Sequence, residues 1–66
     1  MPKYTVGQTY KAAYWDGVMN SFEVLEIGCI FYGIRWADGT EEWAYEADMD
    51  RWTEAAREKE MEEAYK

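Results

Sequence analysis

The sequence predicts a mainly β fold: a small antiparallel barrel of four to five strands, followed by a C-terminal α-helix. Three observations predict it. Two Asp-Gly turns flanked by aromatics, Trp15-Asp16-Gly17 and Trp36-Ala37-Asp38-Gly39, sit near the ends of the stretch 13–43. Asp-Gly between apolar runs is a strong hairpin signal, because a type I′ turn needs positive φ at both central residues. Gly28-Cys29 marks a third reversal between two apolar runs. From residue 48 onward the composition changes to strong helix formers without Gly or Pro. A meander this short has to curl on itself to bury one face.

In order along the chain, residues 1–7 read as a lead-in, with Val6-Gly7 starting the fold. Residues 8–15 form the first strand, in which Tyr10, Ala12 and Tyr14 share one face. Residues 21–27 form the second, with Phe22 and Val24 on one side and Leu25 and Ile27 on the other. A phase shift within a strand predicts a bulge or strong bend. Residues 29–36 form the third strand, with Ile30, Tyr32, Ile34 and Trp36 on a common face. Gly33 in its middle signals a bulge or a close backbone approach. Residues 41–45 form the fourth, with Trp43 and Tyr45 together. Trp43, Tyr10 and Phe31 are assigned to the core, whereas Trp36 and Tyr14 flank turns where side chains reach the rim.

In the helix, Asp48 or Asp50 is the expected N-cap. Met49, Trp52 and Ala56 form a short apolar stripe at helical spacing. Beyond Ala56 the stripe thins to Met61 and Tyr65, and Glu54, Glu58 and Glu62 repel one another at i,i+4. The expectation is that the first two turns dock and the last two project. The division is therefore a barrel over residues 1–47 and a packed helix over 48–66, within one domain.

The chain has 66 residues and must build its core from few, large side chains. Four Trp, six Tyr and two Phe suit that need, since each aromatic buries about 150–250 Å². One cysteine excludes an internal disulfide, and no apolar h-region follows the N-terminus, so a soluble cytoplasmic (intracellular) protein is expected. The longest apolar-biased run, residues 27–34, is too short to span a bilayer. The net charge of −7 is uneven: residues 1–40 hold three cations against four carboxylates, and residues 41–66 four against ten. Such a surface repels phosphate backbones, keeps a small protein soluble and favours a basic partner.

Catalytic classes are sharply restricted. With no histidine, one serine and one cysteine, neither a Ser-His nor a Cys-His nucleophile nor a Cys/His zinc site can be built. A phosphate loop is missing, and Asp48-Met49-Asp50 lacks the ligands and glycine of a calcium loop. No cofactor and no enzymatic activity are expected. The sharper candidate is a cation site made of Tyr14, Trp15, Phe22, Trp36 and Trp43, which lie near the two Asp-Gly turns. Tyr14, Trp15, Phe22, Trp36 and Asp38 are the expected partner-binding residues, with Glu41 and Glu42 from the acidic surface. Aromatic faces that converge near a carboxylate attract an ammonium or guanidinium group.

Over residues 8–50 the chain resembles a Tudor-like domain of the SH3-like barrel superfold. Tyr14, Asp16-Gly17, Phe22-Glu23-Val24-Leu25 and the run from Tyr32 through Trp36 and Asp38-Gly39 to Trp43 carry the resemblance, with Asp48-Met49 as the short turn that follows. The resemblance implies a cage for methylated arginine or lysine formed by Tyr14, Phe22 and Trp36, with Asp38 in the turn. Readers of this type often have an aromatic and an Asn where this chain has Asp38-Gly39-Thr40. Other members of the superfold bind unmodified peptides, nucleic acids or subunits, and fold alone does not choose among them.

Three functions follow as expectations. The first is a non-enzymatic protein-binding module that engages a basic segment, without direct nucleic-acid or membrane binding. The second is a small acidic phage-type inhibitor that mimics nucleic acid, suggested by the carboxylates of residues 41–63. The third is an assembly subunit, a homodimer through Trp52, Met61 and Tyr65; monomer and homodimer are both compatible with the sequence.

Overall fold

A computed structural model describes residues 3–14 and 17–64. Trp15, Asp16 and Tyr65, on which sequence expectations rest, lie outside the described residues. The elements are β1 (Thr9–Ala13), β2 (Met19–Ile27), β3 (Phe31–Trp36), β4 (Glu41–Tyr45) and α1 (Glu46–Ala64). The strands form one antiparallel meander in the order β1-β2-β3-β4. Among the described residues the sheet is open, with β1 and β4 as its two edges, so the expected closure into a barrel is not seen.

The turns follow from their glycines. Gly17 and Gly39 have φ of 83° and 94°, and no described non-glycine residue has positive φ. In the β3–β4 turn the Gly39 N–H donates to Trp36 O at 2.8 Å and the Trp36 N–H to Thr40 O at 2.7 Å. This is a type I turn closed by a glycine bulge, not the type I′ turn expected, since Asp38 keeps negative φ. Between β1 and β2 the Gly17 N–H likewise donates to Tyr14 O at 2.8 Å and the Tyr14 N–H to Val18 O at 3.3 Å. A Cβ on Gly39 would meet nothing within 4 Å, so only the backbone conformation requires glycine. Gly39→Ala is therefore expected to cost about 1–2 kcal/mol, and Gly39→Asn less, in urea denaturation.

β2 carries the expected bulge. Val24 stands opposite Ile34, but Glu26 stands opposite Gly33, which leaves Leu25 as the extra residue. The shift places Ile27 opposite Tyr32, hence on the side of Val24 rather than with Leu25 as the simple alternation predicts.

The inner face of the sheet is apolar. Ala12, Phe22, Val24, Tyr32, Ile34, Trp36 and Ala44 are buried there, and Met49 closes the core from α1. The predicted stripe holds: Met49 and Ala56 are buried and Trp52 is half-buried against the cluster. Trp52 thus packs its ring against the core. The N-cap expectation is overturned, because β4 runs straight into α1 at Glu46. Asp48 instead pairs with Arg51 within the helix, and Asp50 accepts from Tyr4. α1 lies chiefly along β1. It stays tethered beyond its second turn, as Lys59 donates to Gly17 O and Lys11 pairs with Glu60 at 2.6 Å.

Tyr4 corrects the reading of residues 1–7 as a simple lead-in. It is 6% exposed and belongs to the core cluster. Its ring meets Tyr10 and Tyr32 edge-on at centroid distances of 5.0 and 5.4 Å. Its hydroxyl donates to Asp50 Oδ1 at 2.6 Å.

Candidate functional site

The expected aromatic cage is filled. Phe22 is 1% and Trp36 5% exposed, so both are core rather than rim. Trp52 of α1 occupies the space where a ligand would sit, with its ring 5.2 Å from Trp36, 6.2 Å from Tyr14 and 6.4 Å from Phe22. Tyr14 remains exposed at the border of this cluster, 5.6 Å from Trp36. Asp38 is exposed and committed to its own turn: it accepts from the Thr40 N–H at 2.9 Å, and this bond holds its carboxyl below the usual range. Phe22 and Trp36 are thus inside, Tyr14 stays in ring contact with Trp36 at the border, and Asp38 stands outside.

The opposite, outer face of the sheet is where exposed aromatics and carboxylates meet. Cross-strand pairing arranges it in three rows. In the first, Arg35 lies between Glu23 and Glu41, at 3.7 and 3.3 Å. In the second, Glu26, Gly33 and Trp43 stand abreast. In the third, Phe31 stacks on Tyr45 with a centroid distance of 4.6 Å.

The second row explains the position of Trp43, which is 56% exposed rather than core. Directly opposite lies Gly33, and a Cβ placed there would be 3.4 Å from the indole. The missing side chain makes a floor on which the ring rests, so a large aromatic is accommodated on a solvent-facing surface. Ala44, its small neighbour, takes the buried position. Phe31 is also corrected: it is half-buried on the outer face, whereas Tyr10 packs against the inner core as expected. The clue in the sequence was Gly33, whose predicted close approach is made by Trp43.

A shallow cleft of about 170 Å³ runs beside Trp43, bordered by Leu25, Glu26, Gly33, Glu41 and Glu42. Glu41 and Glu42 are both exposed, on opposite sides of the β4 edge. Glu26 and Glu41 share the outer face with the indole, whose π face carries negative quadrupole potential, and Glu42 adds charge at the same strand edge. The arrangement suits a cation with a planar or methylene-bearing body, such as an arginine or lysine side chain.

A larger groove of about 500 Å³ lies between the N-terminal segment and α1, beside Tyr10 and Arg57. Part of its polar lining is already paired: Lys3 Nζ donates to Asp50 Oδ2 at 2.9 Å, opposite the Tyr4 hydroxyl. Tyr4 and Lys3 hold the Asp50 carboxyl below its ordinary value, and burial pushes the Tyr4 hydroxyl up. This network joins the N-terminal segment to the helix. Among the described residues no group of three or more His, Cys, Asp or Glu side chains could hold a metal ion. No described helix is long and apolar enough to cross a membrane. Neither a protein-family model, a curated protein nor a solved structure matches this chain.

Proposed function

We propose that this protein is a non-enzymatic binding module that engages a basic segment of a protein partner. In this reading it is a Tudor-like member of the SH3-like barrel superfold. The meander order, the two glycine-closed Asp-Gly turns and the bulge in β2 support that affinity. One observation carries the functional reading: Trp43 is more than half exposed, seated on Gly33 and bordered by Glu26, Glu41 and Glu42. Trp43 takes the role that the sequence assigns to Trp36.

Each exposed cation–π or ionic contact is worth about 0.5–1 kcal/mol. Affinity therefore rests on several such contacts together, and salt screens them. The nucleic-acid-mimic reading has less support. The α1 carboxylates are interleaved with cations, and Asp48 and Glu60 already pair with Arg51 and Lys11.

The test is fluorescence anisotropy of a labelled eight-residue peptide alternating Arg or Lys with Val or Thr. Binding is expected to weaken several-fold between 50 and 300 mM salt. It should also fall in both Trp43→Ala and the Glu41→Gln/Glu42→Gln double variant, with circular dichroism unchanged. An affinity indifferent to salt and to both variants would rule the reading out.

A further inference from the structure

We propose that the partner's basic segment binds as a fifth strand, added along the free edge of β4. The inference rests on the reading of the outer face as a site for a cationic segment, and it specifies how that segment is held.

The two edges of the sheet are treated differently. β1 is covered, because α1 lies along it and Lys11 and Glu60 clip the two together. β4 leads directly into α1, which then departs toward β1 and, among the described residues, leaves the β4 edge open. Ladder geometry identifies the free groups. Trp36 and Thr40 are hydrogen-bonded across the turn, and in an antiparallel pair bonded and non-bonded positions alternate. Ile34–Glu42 and Tyr32–Ala44 are accordingly bonded positions, and Arg35–Glu41 and Gly33–Trp43 are not. The N–H and C=O of Glu41 and Trp43 therefore point away from β3, at exposed residues, toward a vacant strand position.

Charge and side chains select the occupant. Glu41 and Glu42 flank this edge on its two sides, and the chain as a whole carries −7. A second copy would bring the same carboxylates to the same edge, which disfavours self-pairing. A strand bearing Arg or Lys is attracted by them. An edge built only for protection has no reason to display two large aromatics, yet Trp43 and Tyr45 are 56% and 52% exposed there. Their rings flank the path of an added strand, where alternate side chains of the segment meet the outer face. A cationic residue in register with Trp43 lies over the indole while the backbone supplies the remaining bonds. Main-chain pairing thus contributes affinity, and the Glu–Trp row contributes preference for positive charge.

The experiment uses the full chain and the alternating basic peptide in two forms. One is unmodified, and the other is N-methylated at two alternate residues so that its inward N–H groups are blocked while charge and sequence stay the same. Both methylation registers are prepared, since only one faces β4. Methylation in one register is expected to weaken binding at least about tenfold, and methylation in the other to change it little. Backbone amides of Glu41 and Trp43 should gain protection from hydrogen exchange in the unmodified complex. Equal binding by all three peptides, without amide protection, would retain the cationic site and overturn strand addition. Absence of binding by any peptide would overturn both. Dimerisation of the protein alone with protection of the same amides would assign the edge to a second copy, against this proposal.

Discussion

Trp36→Ala is expected to unfold the domain, whereas Trp43→Ala leaves it folded. Trp36 is 5% exposed and packs against Phe22, Tyr14 and Trp52, at centroid distances of 5.6, 5.6 and 5.2 Å. Removing such a ring costs about 3–5 kcal/mol, because the transfer term and the cavity term add. A chain of 66 residues has only about 3–10 kcal/mol of total stability. The cavity would open at the junction of sheet and helix, where Trp52 loses its main partner. Trp43, 56% exposed on the outer face, forfeits chiefly its contact with Gly33. That cross-strand pair is worth about 0.2–1 kcal/mol. Urea titrations followed by circular dichroism distinguish the two. A folded Trp36→Ala protein within about 1 kcal/mol of the parent would remove Trp36 from the core. The contrast also separates function from stability, because Trp43 is the tryptophan whose loss should affect binding without affecting the fold.

The legible features were those fixed by local chemistry. Gly17 and Gly39 announced their turns because only glycine adopts φ near +90° without strain. Leu25 announced its bulge because one extra residue shifts the period of two. Met49, Trp52 and Ala56 announced the docked face of α1. The missed features depend on partners distant in sequence or across strands. Trp43 read as core because large aromatics usually are, and its exposure depends on Gly33 ten residues earlier in the facing strand. Tyr4 looked peripheral because its burial is completed by Asp50, 46 residues away. Asp48 and Asp50 looked like caps because carboxylates favour helix starts, yet tertiary contacts claim Asp50. Glu46 opens the helix instead and accepts from the Tyr32 hydroxyl at 2.6 Å. The cage failed for the same reason: the residues that would form it were identified, but the ring that fills it comes from α1.

Tyr4→Ala is the second large effect, at about 3–5 kcal/mol, since it removes a ring buried among Tyr10, Phe22 and Tyr32. Tyr4→Phe keeps the ring and isolates the hydroxyl, whose bond to the partly exposed Asp50 carboxylate is worth about 1 kcal/mol. The pH dependence of the Tyr4→Phe gap identifies the bond. Asp50 is held below its ordinary value of 3.8, first by the Tyr4 hydroxyl and then by Lys3. Its contribution is therefore present above that value and disappears as pH falls through the lower value of the folded state. The Tyr4 hydroxyl is raised above its ordinary value of 10.0, first by burial and then by Asp50. Its contribution is full below that value and declines as pH rises beyond it, because the unfolded chain ionises first. The gap between parent and Tyr4→Phe should thus be widest between about pH 4 and pH 10 and narrow on either side. Urea midpoints at pH 2.5, 7 and 10.5 measure it. The alkaline narrowing follows from burial of the hydroxyl, so the acid arm tests the bond: a gap as wide at pH 2.5 as at pH 7 would mean that the hydroxyl does not bond to Asp50, and that ring packing alone secures the N-terminal segment to α1.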